Sequence, residues 1–266
     1  MLMSHPSGPI LSHTSRGARK YDNTRNSMRY TDVGIREECR AILEAMARIA
    51  DPDVGQRLLD AALRLLVRDG SGSLSTRRIA TEAGTSAMAV YTHYGSIGGL
   101  IGAVIERGFA DLASDMSAVG TTADPVRDLV ALLLSSVRFA REQPNIYEIL
   151  FVTSNLGQYR RTAPAELTAG RDSTLQLVVD CCERARAAGR FRSRSNGVAL
   201  AYQWWSVSHG YILLELAGYA ERESGTRKVL APLLEAVAVG LGDDPVRTQS
   251  SLDAVLVLAG SDSRHD

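Results

Sequence analysis

Residues 58–105 read as two short helical units joined by a glycine-punctuated turn, and few folds accommodate that pattern. The second unit is LSTRRIATEAGTSAMAVYTHYGS. Ser75 or Thr76 starts a helix there, Ile79, Ala80 and Ala83 supply its apolar side, and Gly84 stops it. Ser86 then caps a second helix that ends in the aromatic run around Tyr91 and Tyr94. A helix, a short turn with Gly and a second short helix make a helix-turn-helix, which sets an exposed helix against DNA.

The rest of the chain reads as helix as well. Residues 34–50 space Ile35, Cys39, Ile42, Leu43 and Met46 as a helix does. Residues 54–69 bury Leu58, Leu59, Ala62, Leu63 and Leu66, with Gly70 and Gly72 as the stop. Ser96 caps a further helix, with Ile97, Leu100, Ile101, Val104 and Leu112 on its apolar face to about Met116. After a break at 120–124, helices are expected over 125–143, 145–153, 165–188, 196–219 and 226–241, with Pro144 and Gly189 as stops. No alternating strand pattern lies between the turn signals. The fold class is therefore all-α: an N-terminal three-helix helix-turn-helix head followed by a larger C-terminal helical body. The expected boundaries are a flexible basic arm over 1–33, the helix-turn-helix domain with an extension helix over 34–116, the C-terminal helical domain over 117–242 and a tail over 243–266.

Charge is informative only in its distribution, since 30 basic residues balance 30 acidic ones across 266 residues. Residues 1–33 carry Arg16, Arg19, Lys20, Arg25 and Arg29 against Asp22 and Asp32, in a Ser-, Gly- and Asn-rich context. The plainer alternative is a disordered leader, or a start at Met28. Cys39, Cys181 and Cys182 form no disulfide framework, and the N-terminus has no apolar signal core, so a cytoplasmic location is expected. Residues 198–214 hold no formal charge, but Gln203, Ser206, Ser208 and His209 interrupt them and Glu215 follows. They read as a core or dimer-interface helix rather than a membrane span.

A recognition helix presents small or polar residues at its leading end and turns an apolar side inward. Ser86, Ala87, Met88 and Ala89 form that leading end here, and Val90 faces inward. Tyr91 and His93 are placed to reach phosphates, and Thr92 a base or sugar. Ala87 and Met88 offer no bidentate hydrogen bond, so Arg77 is the better candidate for reading a base, forking onto guanine O6 and N7. Its neighbour Thr76 is suited to phosphate, as is the start of the Ser96 helix. The plainer alternative is that Arg77 and Arg78 only solvate a helix face.

In order and spacing, residues 58–105 resemble the DNA-binding head of the TetR family of transcriptional regulators. The resemblance runs through Gly70, Leu74-Ser75-Thr76-Arg77, Ile79-Ala80, Ala83-Gly84, Tyr91, Tyr94 and Leu100. It implies an all-α homodimer whose paired heads bind a palindromic double-stranded operator, and a C-terminal pocket where a small-molecule inducer loosens DNA binding. Two positions depart from it. The family often has Lys where Ile97 stands and a basic or polar residue where Ala87 stands, so phosphate contacts are fewer here. The basic arm is a candidate to compensate from the minor groove.

Residues 138–151 (RFAREQPNIYEILF) and 204–216 (WWSVSHGYILLEL) are similar to the regulatory domain of a TetR subgroup with a Trp-His-Gly signature. That similarity implies a four-helix dimer interface built from the helix of Trp205, His209 and Gly210 and the helix of residues 230–241. Trp204 and Trp205 would supply its apolar surface, and so would Leu230, Leu233, Leu234, Val237 and Leu241. The implied ligand pocket lies among Phe139, Tyr147, Phe151, Leu177, Trp205 and His209. For each aromatic, core packing is the plainer reading.

Catalysis finds no footing. The five histidines have no metal-ligand spacing, no strand precedes Gly95, Gly98, Gly99 and Gly102, and no GxSxG elbow occurs. No enzyme activity, cofactor or metal is expected. The competing reading is a ligand-binding or protein-interaction module with a degenerate DNA-binding head, favoured by Ala87, Ile97 and the neutral charge.

Overall fold

The computed structural model describes residues 52–151 and 164–262, and every regular element among them is helical. The described residues fall within one contact unit, 49–266. The basic arm over 1–33 and the helix expected over 34–50 lie outside the described residues.

The first helix, α1 (Pro52–Asp69), has Asp53 in its first turn and Arg68 in its last, both signs suiting the helix dipole. It buries Leu58, Ala61, Ala62, Leu65 and Leu66, while Leu59 and Leu63 are only half-buried. The buried stripe is thus rotated from the expected one towards Ala61 and Leu65. The reason is tertiary: α1 lies against several helices at once, so its inward side is set by them rather than by its own strongest period. Gly70 takes φ 75° to end the helix, and the buried Ser73 hydroxyl donates to the Gly70 carbonyl at 2.7 Å to close the turn.

Two short helices follow, α2 (Thr76–Glu82) and α3 (Ala87–Tyr94), with Gly84 at φ 64° between them. Ser75 caps α2 by accepting from the Arg78 amide. Ile79, Ala80, Ala83 and Val90 face inward and join the core of α1. The long helix α4 (Ile97–Ser117) starts from Ser96, whose hydroxyl accepts from the Gly99 amide at 3.0 Å. The turn into it requires glycine at 99, because a β-carbon there would stand 2.1 Å from the Tyr94 carbonyl oxygen.

The body comprises α5 (Pro125–Glu142), α6 (Pro144–Phe151), α7 (Pro164–Ala187), α8 (Gly197–Leu216) and a broken helix. That last element runs from α9 (Arg222–Gly225) through a π turn at Thr226–Leu230 into α10 (Ala231–Gly240). Helix α4 packs on α1 and α3 and equally on α5, α6 and α7, so head and body share it. Its Gly108 lets α6 come close, since a β-carbon would meet Ile146 and Leu150 at 3.0 Å. The uncharged stretch 198–214 forms α8, and Leu200, Ala201, Trp204, Tyr211 and Ile212 bury its inner side within the protein. No single helix among the described residues is long and apolar enough to cross a membrane.

Within 243–266, set apart as a tail on sequence, Pro245–Asp262 forms helix α11 with Leu252 and Val255 buried. A buried charge cluster holds it. Arg190, 2 % exposed at its side chain, pairs with Asp243, 1 % exposed, and reaches Asp124 at 2.7 Å. Ser251 of α11 donates to Asp124 at 2.6 Å, and Thr248 donates to Asp243 at 2.6 Å. Polar residues at and after the start of this segment thus belong to a buried, hydrogen-bonded network. Of the expected interface residues of α10, Leu230, Leu234 and Leu241 turn into the protein's own core, leaving Leu233 outward and Val237 half-buried.

Candidate nucleic-acid interface and ligand pocket

One side of α3 is open to solvent. Ala87, Met88, Tyr91 and Thr92 are all exposed there, with Met88 at 69 %, while Val90 is fully buried behind them. The spacing of one and four residues gathers these four onto one helical face. Ser86 stands exposed at the head of α3, yet its side chain makes no capping bond, unlike Ser75 and Ser96. Its hydroxyl is therefore unspent. Thr92 directs its hydroxyl to the Met88 carbonyl at 3.2 Å, which leaves its oxygen lone pairs to accept.

His93 sits differently. Its ring lies against Gly55 of α1, where an added β-carbon would come within 3.2 Å of Nδ1, and the side chain is half-buried. Tyr94 beside it donates its hydroxyl to the Gly55 carbonyl at 2.8 Å. This pair fastens α3 to the start of α1, so His93 is separated from the outward face that carries Tyr91.

The arginines of the head divide sharply. Arg57 pairs with Asp53, Arg64 with Glu82, Arg68 with Asp69 and Glu82, and Arg78 with Asp69 at 2.6 Å. Arg77 is exposed and, among the described residues, has no carboxylate partner. Adjacent positions on a helix point about 100° apart, so the acidic end of α1 captures Arg78 and leaves Arg77 facing away. Thr76 beside it is half-buried, and Ser96 is exposed at the start of α4.

The second site is a small cavity between α4, α5, α6, α7 and α8, with room for roughly one water-sized sphere (about 10 Å³). Four of the six residues expected to line it do so: Tyr147, Phe151, Trp205 and His209. Phe139 and Leu177 do not. Phe139 is wholly buried in the core a turn beyond Ser136, and α7 presents Val178 to the cavity instead of the adjacent Leu177. Leu112 and Met116 of α4, Leu133 and Ser136 of α5, and Ser208 complete the lining and escaped the sequence reading. Leu112 alone carried a sequence signal, as part of an apolar helical face.

The two tryptophans part company here. Trp204 is fully buried and stacks on Phe191 at 6.0 Å, whereas Trp205 stacks on His209 at 5.0 Å with 20° between the planes. Trp204 is therefore withdrawn from the outward surface expected of it, while Trp205 stays half-buried. Phe151 closes on His209 from another side at 4.4 Å. The Tyr147 hydroxyl is hydrogen-bonded to His209 Nδ1. Burial lowers the His209 pKa to about 3 and raises that of the Tyr147 phenol, so both are neutral near pH 7. The described lining carries no formal charge.

Beyond the pocket, α8 and α10 each show solvent a stripe of mostly small and apolar residues. On α8 it includes Ser206, Gly210 and Leu213; on α10 it includes Leu233, Ala236 and Gly240. Among the described residues, nothing lies within 4 Å of a β-carbon placed on Gly210 or Gly240.

Comparisons with known proteins fall on both halves of the chain. Residues 58–104 match the family model for bacterial regulatory proteins of the tetR family. Residues 129–239 match the model described as a tetracyclin repressor-like C-terminal domain, a description that names no subgroup. Among curated proteins, the uncharacterized HTH-type transcriptional regulator Rv0681 of Mycobacterium tuberculosis is 26 % identical over 188 residues, covering 70 % of this chain and 80 % of that one. Among solved structures, a protein of unknown function from Rhodococcus sp. RHA1 superposes with a TM-score of 0.60 at 22 % identity, over 71 % of this chain and 96 % of that one. A tetR-family regulatory protein from Rhodococcus RHA1 superposes with a TM-score of 0.54 at 20 % identity, over 72 % and 98 % of the two chains.

Proposed function

The chain belongs to the tetR family of bacterial regulatory proteins and is a transcriptional regulator, and from that premise we propose that it represses transcription as a homodimer that a small molecule releases from a palindromic operator. The observation that carries the DNA half of this reading is Arg77. It is the arginine of the described head left without a carboxylate, beside an Arg78 that is tied down. A free planar guanidinium next to an exposed helix face suits base-edge or phosphate contact.

On this reading Thr76, Arg77, Ser86, Ala87, Met88, Tyr91, Thr92 and Ser96 form the contact surface, with Arg77 reading bases and Tyr91 and Ser96 meeting phosphate. Met88, exposed and uncharged, contributes apolar contact of the kind a thymine methyl offers. His93 acts indirectly, by holding α3 against α1. The stripes on α8 and α10 support pairing of two copies through four helices, with Gly210 and Gly240 permitting close approach. Helix α4 touches the head and lines the pocket, so a ligand that repositions it changes head spacing. It shifts the balance only as far as it prefers the mismatched arrangement.

The test is a gel shift with DNA from upstream of the chain's own gene. Wild type and Arg78→Ala are expected to bind, whereas Arg77→Ala and Tyr91→Ala lose the shift. An unaltered shift in Arg77→Ala would mean that DNA docks elsewhere, and no shift with wild type would favour the degenerate-head alternative. Introducing a charge at Leu213 and Leu233 (both to Glu) is expected to halve the mass seen by sedimentation.

A further inference from the structure

The five-helix pocket already described has a definite hydrogen-bond polarity, which points to the chemistry of its ligand. Among the described residues, the Tyr147 hydroxyl is hydrogen-bonded to His209 Nδ1 alone. If Nδ1 carried the proton, the buried phenol hydrogen would be left without an acceptor, a cost of about 1–3 kcal/mol. The phenol therefore donates, Nδ1 accepts, and the ring proton stands on Nε2 as a donor. The two lining serines have the opposite character. Ser136 donates its hydroxyl to the Leu132 carbonyl at 3.3 Å, and Ser208 donates to the Trp205 carbonyl at 3.0 Å. Both hydrogens are spent within their own helices, so these oxygens offer lone pairs.

Shape adds a second constraint. The void itself holds little more than a water, so a ligand must displace something. Half-buried Trp205 lies flat over the imidazole of His209, 20° from parallel, with Phe151 on another side. The indole shows that the His209 face accepts a flat aromatic ring. It is also half-buried, so it reaches solvent and has room to be displaced outward, unlike the fully buried Trp204 next to it.

We infer that the pocket takes an uncharged planar aromatic molecule, which replaces the Trp205 indole on His209, accepts a hydrogen bond from Nε2 and gives one from a hydroxyl or N–H to Ser136 or Ser208. A cationic ring finds no carboxylate in the described lining and an anionic one finds no cation, so each would be desolvated without a counter-charge. The inference rests on the reading of this cavity as the inducer site.

Three bicyclic probes of similar size test it on the full chain: neutral 2-naphthol, anionic 2-naphthoate and cationic N-methylquinolinium. Binding is followed at pH 7 by calorimetry and by tryptophan fluorescence, and operator release by gel shift in parallel. The neutral probe is expected to bind at least tenfold more tightly than either ion and to change the fluorescence. His209→Phe, which keeps a ring but removes both nitrogens, is expected to weaken it roughly tenfold. Tyr147→Phe, which frees Nδ1 and unlocks the tautomer, is expected to weaken it less, and thermal melts identify any variant that fails to fold. Equal or tighter binding of an ionic probe, undiminished binding by Tyr147→Phe and His209→Phe, or no binding of 2-naphthol at millimolar concentration overturns the inference. If 2-naphthol binds as expected while the protein shifts no DNA, the regulatory reading fails and the ligand chemistry stands.

Discussion

Asn145, at the start of α6, donates its side-chain amide to the carbonyl of Val67 near the end of α1, at 2.9 Å. The same short helix carries Tyr147 and Phe151 into the pocket two and six residues later. A pocket residue and a head-binding residue therefore sit within one turn of each other, on a helix that Gly108 lets pack closely on α4. The body thus grips the head at two places, through α4 itself and through this hydrogen bond.

Removing the second grip separates binding from response. Asn145→Ala is expected to hold the operator within about threefold of wild type, because a partly exposed hydrogen bond contributes little to the resting state. The concentration of ligand needed to release DNA should rise, while ligand affinity in the absence of DNA stays the same. A gel-shift titration alongside calorimetry checks this, and an unchanged release curve would assign all coupling to α4.

Two glycines of α4 respond oppositely to alanine. At Gly99 the new β-carbon would meet the Tyr94 carbonyl oxygen at 2.1 Å, whereas at Gly102 nothing among the described residues lies within 4 Å. Gly99→Ala is expected to destabilise by about 1–3 kcal/mol or more, since backbone rather than a side chain must give way. Gly102→Ala is expected to stabilise by about 0.4–1 kcal/mol through the unfolded chain. Urea denaturation of the pair decides it; equal effects would mean that the turn into α4 is looser than described.

The buried cluster under α11 makes Arg190 a costly residue to lose. Truncating it to Ala strands Asp243, 1 % exposed, and leaves Asp124 with one partner fewer. A loss of about 3–5 kcal/mol is expected from denaturant melts. Both carboxyls lie below their ordinary pKa, through hydrogen bonds and the Arg190 charge that outweigh their burial. Their stabilisation is therefore complete above the unfolded value near 3.8 and drains away as pH falls through the folded values. Loss of cooperativity in Arg190→Ala should begin in α11, where hydrogen exchange would detect it.

His209 gives a different acid response. Its pKa falls from 6.5 to about 3 on burial, so below pH 6.5 the unfolded chain takes up a proton that the folded one refuses. Stability from this group is constant above pH 6.5 and decreases steadily down to about pH 3. Replacing it by Gln should flatten the stability profile between pH 6.5 and 4.5 relative to wild type. Parallel profiles for the two proteins in that window would show that the imidazole is already protonated in the folded state.

The helix-turn-helix was legible because its signals are local. Ser75 and Ser96 cap helices three residues away, and Gly84 and Gly95 supply positive φ where the chain must turn, whatever the rest of the protein does. Periodicity likewise identified the inward sides of α2 and α4. It was less reliable on α1, where four neighbouring helices rather than one plane choose the buried stripe.

The amino-acid order by itself determined the helices of the head, the caps at Ser75 and Ser96, the glycine stops, and the family to which the head belongs. Tertiary packing alone decided which member of each adjacent pair does what: Arg78 held by Asp69 and Arg77 without a carboxylate partner among the described residues, Trp205 at the pocket and Trp204 in the core, Val178 lining where Leu177 does not. One step along a helix turns a side chain by about 100°, and composition does not record which way a neighbouring helix will approach. The same holds for α11, whose anchoring bond from Ser251 to Asp124 joins residues 127 positions apart. A contact at that separation exists only once the helices between have packed, so no local pattern announces it.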